Sequence, residues 1–171
     1  MKYFIFLSCI LFFISSNSYS QLKVGYIDSD TILENLPDAQ DARQKLDALI
    51  QEWQNELKKM EADIKAKRDD FEKRKLIMTE QTSQEMQQEI ETLEAELSTF
   101  REKKFGANGE VFQKQNELMK PIQNKVFNII QQIALEEDLD FVFDRSGDVM
   151  FLYAKEEYDL TVQVLERLKL E

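Results

Sequence analysis

Residues 41–78 read DARQKLDALIQEWQNELKKMEADIKAKRDDFEKRKLIM. Their apolar positions are Ala42, Leu46, Leu49, Trp53, Leu57, Met60, Ile64, Phe71 and Met78, with Lys67 and Arg74 filling the gaps. They recur about every 3.6 residues, the spacing that keeps one stripe on one face of an α-helix. Neither Gly nor Pro occurs from 38 to 105. Thr79-Glu80-Gln81-Thr82-Ser83 interrupts the stripe with turn-compatible residues, and Thr82 followed by Glu85 fits a capping box for a new helix. The stripe then resumes as Met86, Ile90, Leu93, Leu97 and Phe100. Two helices of similar length with a short polar break predict a long antiparallel hairpin, an arm of roughly 60 Å with its tip near 79–83. The alternative is one continuous rod that dimerises as a parallel coiled coil.

Working outward, the returning helix meets Gly106-Ala107-Asn108-Gly109, where each Gly costs about 1 kcal/mol relative to Ala in a helix interior. Pro121 removes a further donor. Either the helix curves and tolerates these breakers, or the arm bends at a shoulder there.

The flanks change period. Leu22–Asp28 reads as a strand with Leu22, Val24 and Tyr26 on one face. Asp28 or Ser29 can cap a short helix through Leu36, and Pro37 suits the first turn of the next. After Ile122, Val126, Ile129, Ile130 and Ile133 come two short apolar strands, Phe141-Val142-Phe143 and Val149–Tyr153, bracketing Asp144–Asp148. Their consecutive apolar residues predict burial on both faces. Asp159 can cap a last helix carrying Leu160, Val164, Leu165 and Leu168.

The fold class that follows is α+β and mainly helical. A hairpin arm over 41–133 is inserted in a small β-rich body made of 21–40 and 134–171. A body that small is marginal alone, and its open strand edges need covering. Oligomerisation through Val24, Tyr26, Phe141, Val142, Phe143, Phe151 and Tyr153 is the expected solution.

Residues 1–20 read as an export signal. Lys2 supplies the positive start, Phe4–Ile14 is an unbroken apolar run too short for a bilayer span, and Ser18 and Ser20 suit cleavage before Gln21. The predicted destination is the periplasm. The only cysteine, Cys9, lies in this leader, so the mature chain has no disulfide chemistry.

Composition excludes much. The chain has 171 residues, no His, 33 Asp+Glu and 22 Lys+Arg, for a net charge of −11. There is no imidazole for a triad or dyad, no Cys-rich metal site and no phosphate-cradling Gly loop. Nucleic acid is a poor partner at this charge. The carboxylates fall on predicted caps, helix surfaces and turns, so neither an enzyme nor a cofactor or metal site is expected. The acidity is uneven. Segments 21–40 and 134–171 carry −3 and −7, whereas 41–133 carries −2.

Lys23-Val24-Gly25-Tyr26-Ile27-Asp28, Ile32-Leu33 and Pro37, the long charged hairpin, Lys120-Pro121-Ile122, Asp140–Asp144 and Asp159-Leu160-Thr161 with Val164-Leu165 together resemble the Skp (OmpH-type) family of periplasmic chaperones. The resemblance covers essentially the whole mature chain. It implies a homotrimer whose β-body carries three helical arms around a cavity and holds unfolded outer-membrane β-barrel proteins without ATP. The best-known members are strongly basic, and this acidic chain departs from them, which argues against binding lipopolysaccharide or an anionic membrane surface. Apolar groups off the arm seam are the candidate client contacts: Phe71, Leu76, Ile77 and Met78 near the tip, and Phe100, Phe105 and Phe112 on the return. The competing reading is a coiled-coil spacer or adaptor that binds one folded envelope partner.

Overall fold

The computed structural model describes residues 22–147 and 151–170. Strand β1 (Val24–Ile27) leads into helix α1 (Ser29–Asn35), whose N-cap is Asp28, accepting from Thr31 N at 2.9 Å. Leu36 leaves the helical region, and Pro37 opens α2 (Pro37–Arg74), where its missing N–H costs nothing. This helix runs 38 residues without a break. The chain reverses through Lys75–Thr79 and returns as α3 (Glu80–Phe105). The cap of α3 is Thr79, accepting from Thr82 N at 3.3 Å, not the expected Thr82. The earlier Thr wins because it is the last residue in extended backbone, and Thr82 is already helical.

Gly106–Gly109 end α3 outright, and α4 (Glu110–Glu136) starts afresh, passing through Pro121. Both glycines have negative φ, so neither is needed for left-handed backbone. Space is the reason. A Cβ on Gly106 would stand 2.4 Å from Glu102 O, and one on Gly109 would stand 2.8 Å from Lys104 O.

After α4 come β2 (Phe141–Asp144), a single 3-10 turn at Glu156–Tyr158 and α5 (Thr161–Leu170). Asp159 accepts from Thr161 N at 2.9 Å, as its position suggests. β1 and β2 pair in parallel, Val24 opposite Phe141 and Ile27 opposite Asp144. A bridge from Tyr26 to Asp159, with Leu160 N donating to Tyr26 O at 2.8 Å, covers the other edge of β1. Gly25 faces inward so closely that a Cβ would lie 2.7 Å from Leu160.

The body core joins Ile27, Ile32, Leu36, Ala39 and Ala42 to Ile122, Val126, Ile129 and Ile133, and closes with Leu160, Val164 and Leu168. Ile32, Ile129, Ile133 and Val164 are fully buried. Each such side chain contributes about 1.5–3 kcal/mol relative to leaving it in water. Both chain ends and the roots of α2 and α4 therefore share one core.

Two expectations for the strands do not hold. Phe151–Tyr153 form no strand, and Val149 and Met150 lie outside the described residues. Phe151 lies across the sheet face instead, its ring 6.0 Å from Tyr26 and 6.1 Å from Phe143. Nor is β2 buried on both faces: Phe141 is 53% and Phe143 38% exposed. Consecutive apolar residues mean two-sided burial only when both faces are covered, and among the described residues the face of β2 bearing Phe141 and Phe143 is left largely open.

Candidate functional site

The arm is held by one seam. Trp53, Ile64 and Ile90 are buried in it, and Leu57, Met60, Phe71, Met86, Leu93, Leu97 and Phe100 are half-buried. Ion pairs stitch its margins: Lys67 to Glu89, Arg68 Nε to Glu94 at 2.7 Å, and Arg101 to Glu61 at 2.7 Å. All three join α2 to α3 across the seam.

At the reversal the seam runs out. Leu76 is 92% and Ile77 84% exposed, while Met78 turns back and is half-buried. The polypeptide is reversing there, with Ile77 N donating to Arg74 O at 2.9 Å, so these side chains project from the end of the arm. Lys75 pairs with Glu72 and Arg74 with Asp70, leaving the apolar pair flanked by internally neutralised charge.

The other anticipated contact residues divide. Phe71 and Phe100 belong to the seam, and Phe105 stands edge-on to Trp53 at 6.4 Å. Phe112 is half exposed on α4. It begins a stripe that sequence reading passed over: Phe112, Met119, Phe127 and Ile130 recur at helical spacing along one flank of the core face of α4, with Met119 and Ile130 packed against the core and Phe112 and Phe127 half exposed. The pairing Val126-Phe127 and Ile129-Ile130 was the available signal, since adjacent apolar residues on a helix cannot share one narrow stripe.

The stripe runs into a shallow cleft of about 310 Å³ lined by Leu33, Phe127, Ile130, Val142 and Phe143. Val24, Tyr26, Phe141 and Phe143 share one face of the sheet by register, with Phe151 on top of them. Leu152 and Tyr153 beside it are 93% and 82% exposed. Of the residues expected to oligomerise, Tyr26 is buried, Val24, Val142 and Phe151 are half-buried, and Phe141, Phe143 and Tyr153 are open.

One polar knot fixes the end of β2. The Asp144 carboxylate accepts from Ser29 N and Ser29 Oγ at 3.1 and 2.6 Å, and from Ser146 N and Ser146 Oγ at 3.1 and 2.7 Å. Partial burial would push its pKa up, but these bonds outweigh burial and hold it below the usual carboxylate range. Both oxygens accept from structural donors, so the group ties strand to helix. Among the described residues no cluster of His, Cys, Asp or Glu could hold a metal ion. No helix among them is long and apolar enough to cross a membrane.

The geometry is thus a small core with an open apolar face, carrying a two-helix arm with an apolar end. No curated protein sequence matches the chain. A solved structure matches it with a TM-score of 0.73 over 91% of this chain and 89% of that one, at 13% identity. That protein comes from Caulobacter crescentus CB15 and is described as an OmpH-like outer membrane chaperone. At that identity the likeness speaks for the fold. Residues 23–168 match the family described as outer membrane protein (OmpH-like), nearly the full length, and the chain therefore belongs to the OmpH-like family.

Proposed function

We propose that the protein is an ATP-independent periplasmic holdase that keeps unfolded outer-membrane β-barrel proteins from aggregating. The observation that carries this reading is the arm end, where Leu76 and Ile77 are exposed on a reversal with no partner among the described residues. The solved OmpH-like relative described as an outer membrane chaperone supports the same role. In this proposal the leader at 1–20 is removed near Ser20-Gln21, and the body assembles as a homotrimer through the surface that Val24, Tyr26, Phe141, Val142, Phe143, Phe151 and Tyr153 build. The arms then surround a client and make many weak apolar contacts. A contact of about 1 kcal/mol, repeated over several arms, gives avidity without a specific pocket.

An adaptor for one folded partner would need a defined polar interface, whereas Leu76 and Ile77, which project from the arm end, are apolar. The test is aggregation of an unfolded barrel protein, followed by light scattering without nucleotide. Stoichiometric protein suppresses it in this reading, and unchanged scattering defeats the reading. Replacing Leu76, Ile77 and Met78 together with Ser weakens client binding by about 30-fold or more, the loss of two or three such contacts per arm, and suppression falls with it. Unaltered suppression by that variant, with its oligomeric mass intact, removes the arm end from the mechanism.

A further inference from the structure

An arm of two packed helices resists bending because both must deform together. That condition fails at one level. α3 and α4 are separate helices joined by Gly106–Gly109, while α2 passes the break uninterrupted. Resistance there falls to that of a single helix plus whatever bridges the gap.

What bridges it is a cluster drawn from all three helices. Trp53 of α2, 8% exposed, lies opposite the break. Phe105, the last residue of α3, meets its ring edge-on at 6.4 Å. Lys104 sits over the same ring, Nζ 4.4 Å from the centroid, and 5.7 Å from the Phe100 ring. The ammonium also reaches across the gap to Glu110 at 2.5 Å, the first residue of α4, with Lys103 3.6 Å from the same carboxylate. The Lys104 bond, against a smaller opposing effect of burial, holds the Glu110 carboxyl below its ordinary range. The Lys104 side chain keeps only 16% of its surface, unlike the arm's other basic groups in ion pairs, which keep 39% or more.

We propose that Trp53, Lys104 and Glu110 form a latch across the interrupted helix that sets the angle between arm and body. Lys104 carries both halves of it, cation–π contact to α2 and charge-assisted hydrogen bond to α4. The tight glycine turn supplies the fixed length of the joint, because neither glycine has room for a Cβ. The lever makes small changes large. From Trp53 to the end of α2 is roughly 30 Å, so a swing of about 20° at the latch moves the tip by roughly 10 Å. Arm posture, and with it the size of whatever the arm closes on, is governed from this one point.

The test is pulsed electron-spin distance measurement on the full chain with Cys9→Ser. Spin labels go at the exposed positions Gln87→Cys in α3 and Asn124→Cys in α4, and labelled chain is diluted into unlabelled chain. Glu110→Gln should broaden the distance distribution about 1.5-fold and Trp53→Leu about twofold, because more bend angles become populated. Gly109→Ala should shift the mean distance, since its Cβ would press on Lys104 O. Arg68→Gln, which removes an ion pair beyond the latch, should leave the width unchanged. Helix content by circular dichroism confirms that each variant is folded. Unchanged widths in both Glu110→Gln and Trp53→Leu overturn the proposal. So does equal broadening by Arg68→Gln, which would mean general loosening of the arm. Glu110→Gln keeps the size and shape of a half-buried side chain and removes its charge, so it remains a fair test if Trp53→Leu unfolds.

Discussion

In the body, Ile32, Ile133 and Val164 keep none of their surface, and Ile129 keeps 1%. In the arm, the best-covered side chains, Trp53, Ile64 and Ile90, keep 7–8%, and most of their seam neighbours are only half-buried. The reason is geometric. A body side chain is enclosed by α1, α4, α5 and the sheet, whereas an arm side chain has one partner helix and water on both flanks. The body therefore supplies depth of burial and the arm supplies length. Charge follows the same division, with the arm nearly neutral because acidic and basic residues are almost matched along it, and the chain's excess acid placed on the two body segments.

The largest expected effect is a core truncation. Ile133→Ala should cost about 3–4 kcal/mol in urea unfolding, because the surrounding core cannot collapse into the void. Ile64→Ala should cost about half as much, since water and flexible neighbours fill its place at the seam. Equal costs would break the contrast between the two regions.

A middle effect is expected at Asp144. Its pKa is depressed in the folded chain, so its contribution to stability is full above the unfolded value of about 3.9 and disappears as pH falls through the lower folded value. Asp144→Asn should cost about 1 kcal/mol at pH 7, reduced by partial exposure, and the difference from the parent should vanish in the acid limb of a pH–stability curve. A difference independent of pH would show that the carboxylate charge is immaterial.

The smallest effect belongs to the arm margins. Arg68→Gln should change stability by about 0.5 kcal/mol or less, and that difference should shrink in molar salt. A larger, salt-insensitive cost would mean that ion pairs rather than the seam hold the arm together.

The arm was legible in the sequence because its signal repeats many times. Ala42, Leu46, Leu49, Trp53, Leu57, Met60 and Ile64 all mark the same face, and the structure covers each of them on that face. The helix starts at Asp28 and Pro37 were legible as local chemistry. The sheet was harder. Phe141-Val142-Phe143 announced a strand but not that one face would stand open, because covering a face is a property of distant or separate chain. The cap of α3 was misplaced by three residues because Thr79 and Thr82 are equally competent donors and acceptors, and only the backbone decides between them. The Lys104 cluster left no sequence trace at all. Its members lie on three helices, and their meeting depends on which way a four-residue turn sends the chain.

The parallel pairing of β1 with β2 has a consequence for how the molecule comes into being. Lys23 and Asp140, which hydrogen-bond beside that ladder at 2.8 Å, are 117 positions apart. The hairpin needs only neighbours and can zip from its own reversal, while the platform must wait for the last quarter of the polypeptide. A chain delivered amino end first thus presents a finished limb before it owns a socket, and β1 stays an unsatisfied ribbon until delivery is almost complete. Truncation just upstream of Phe141 would freeze that moment permanently.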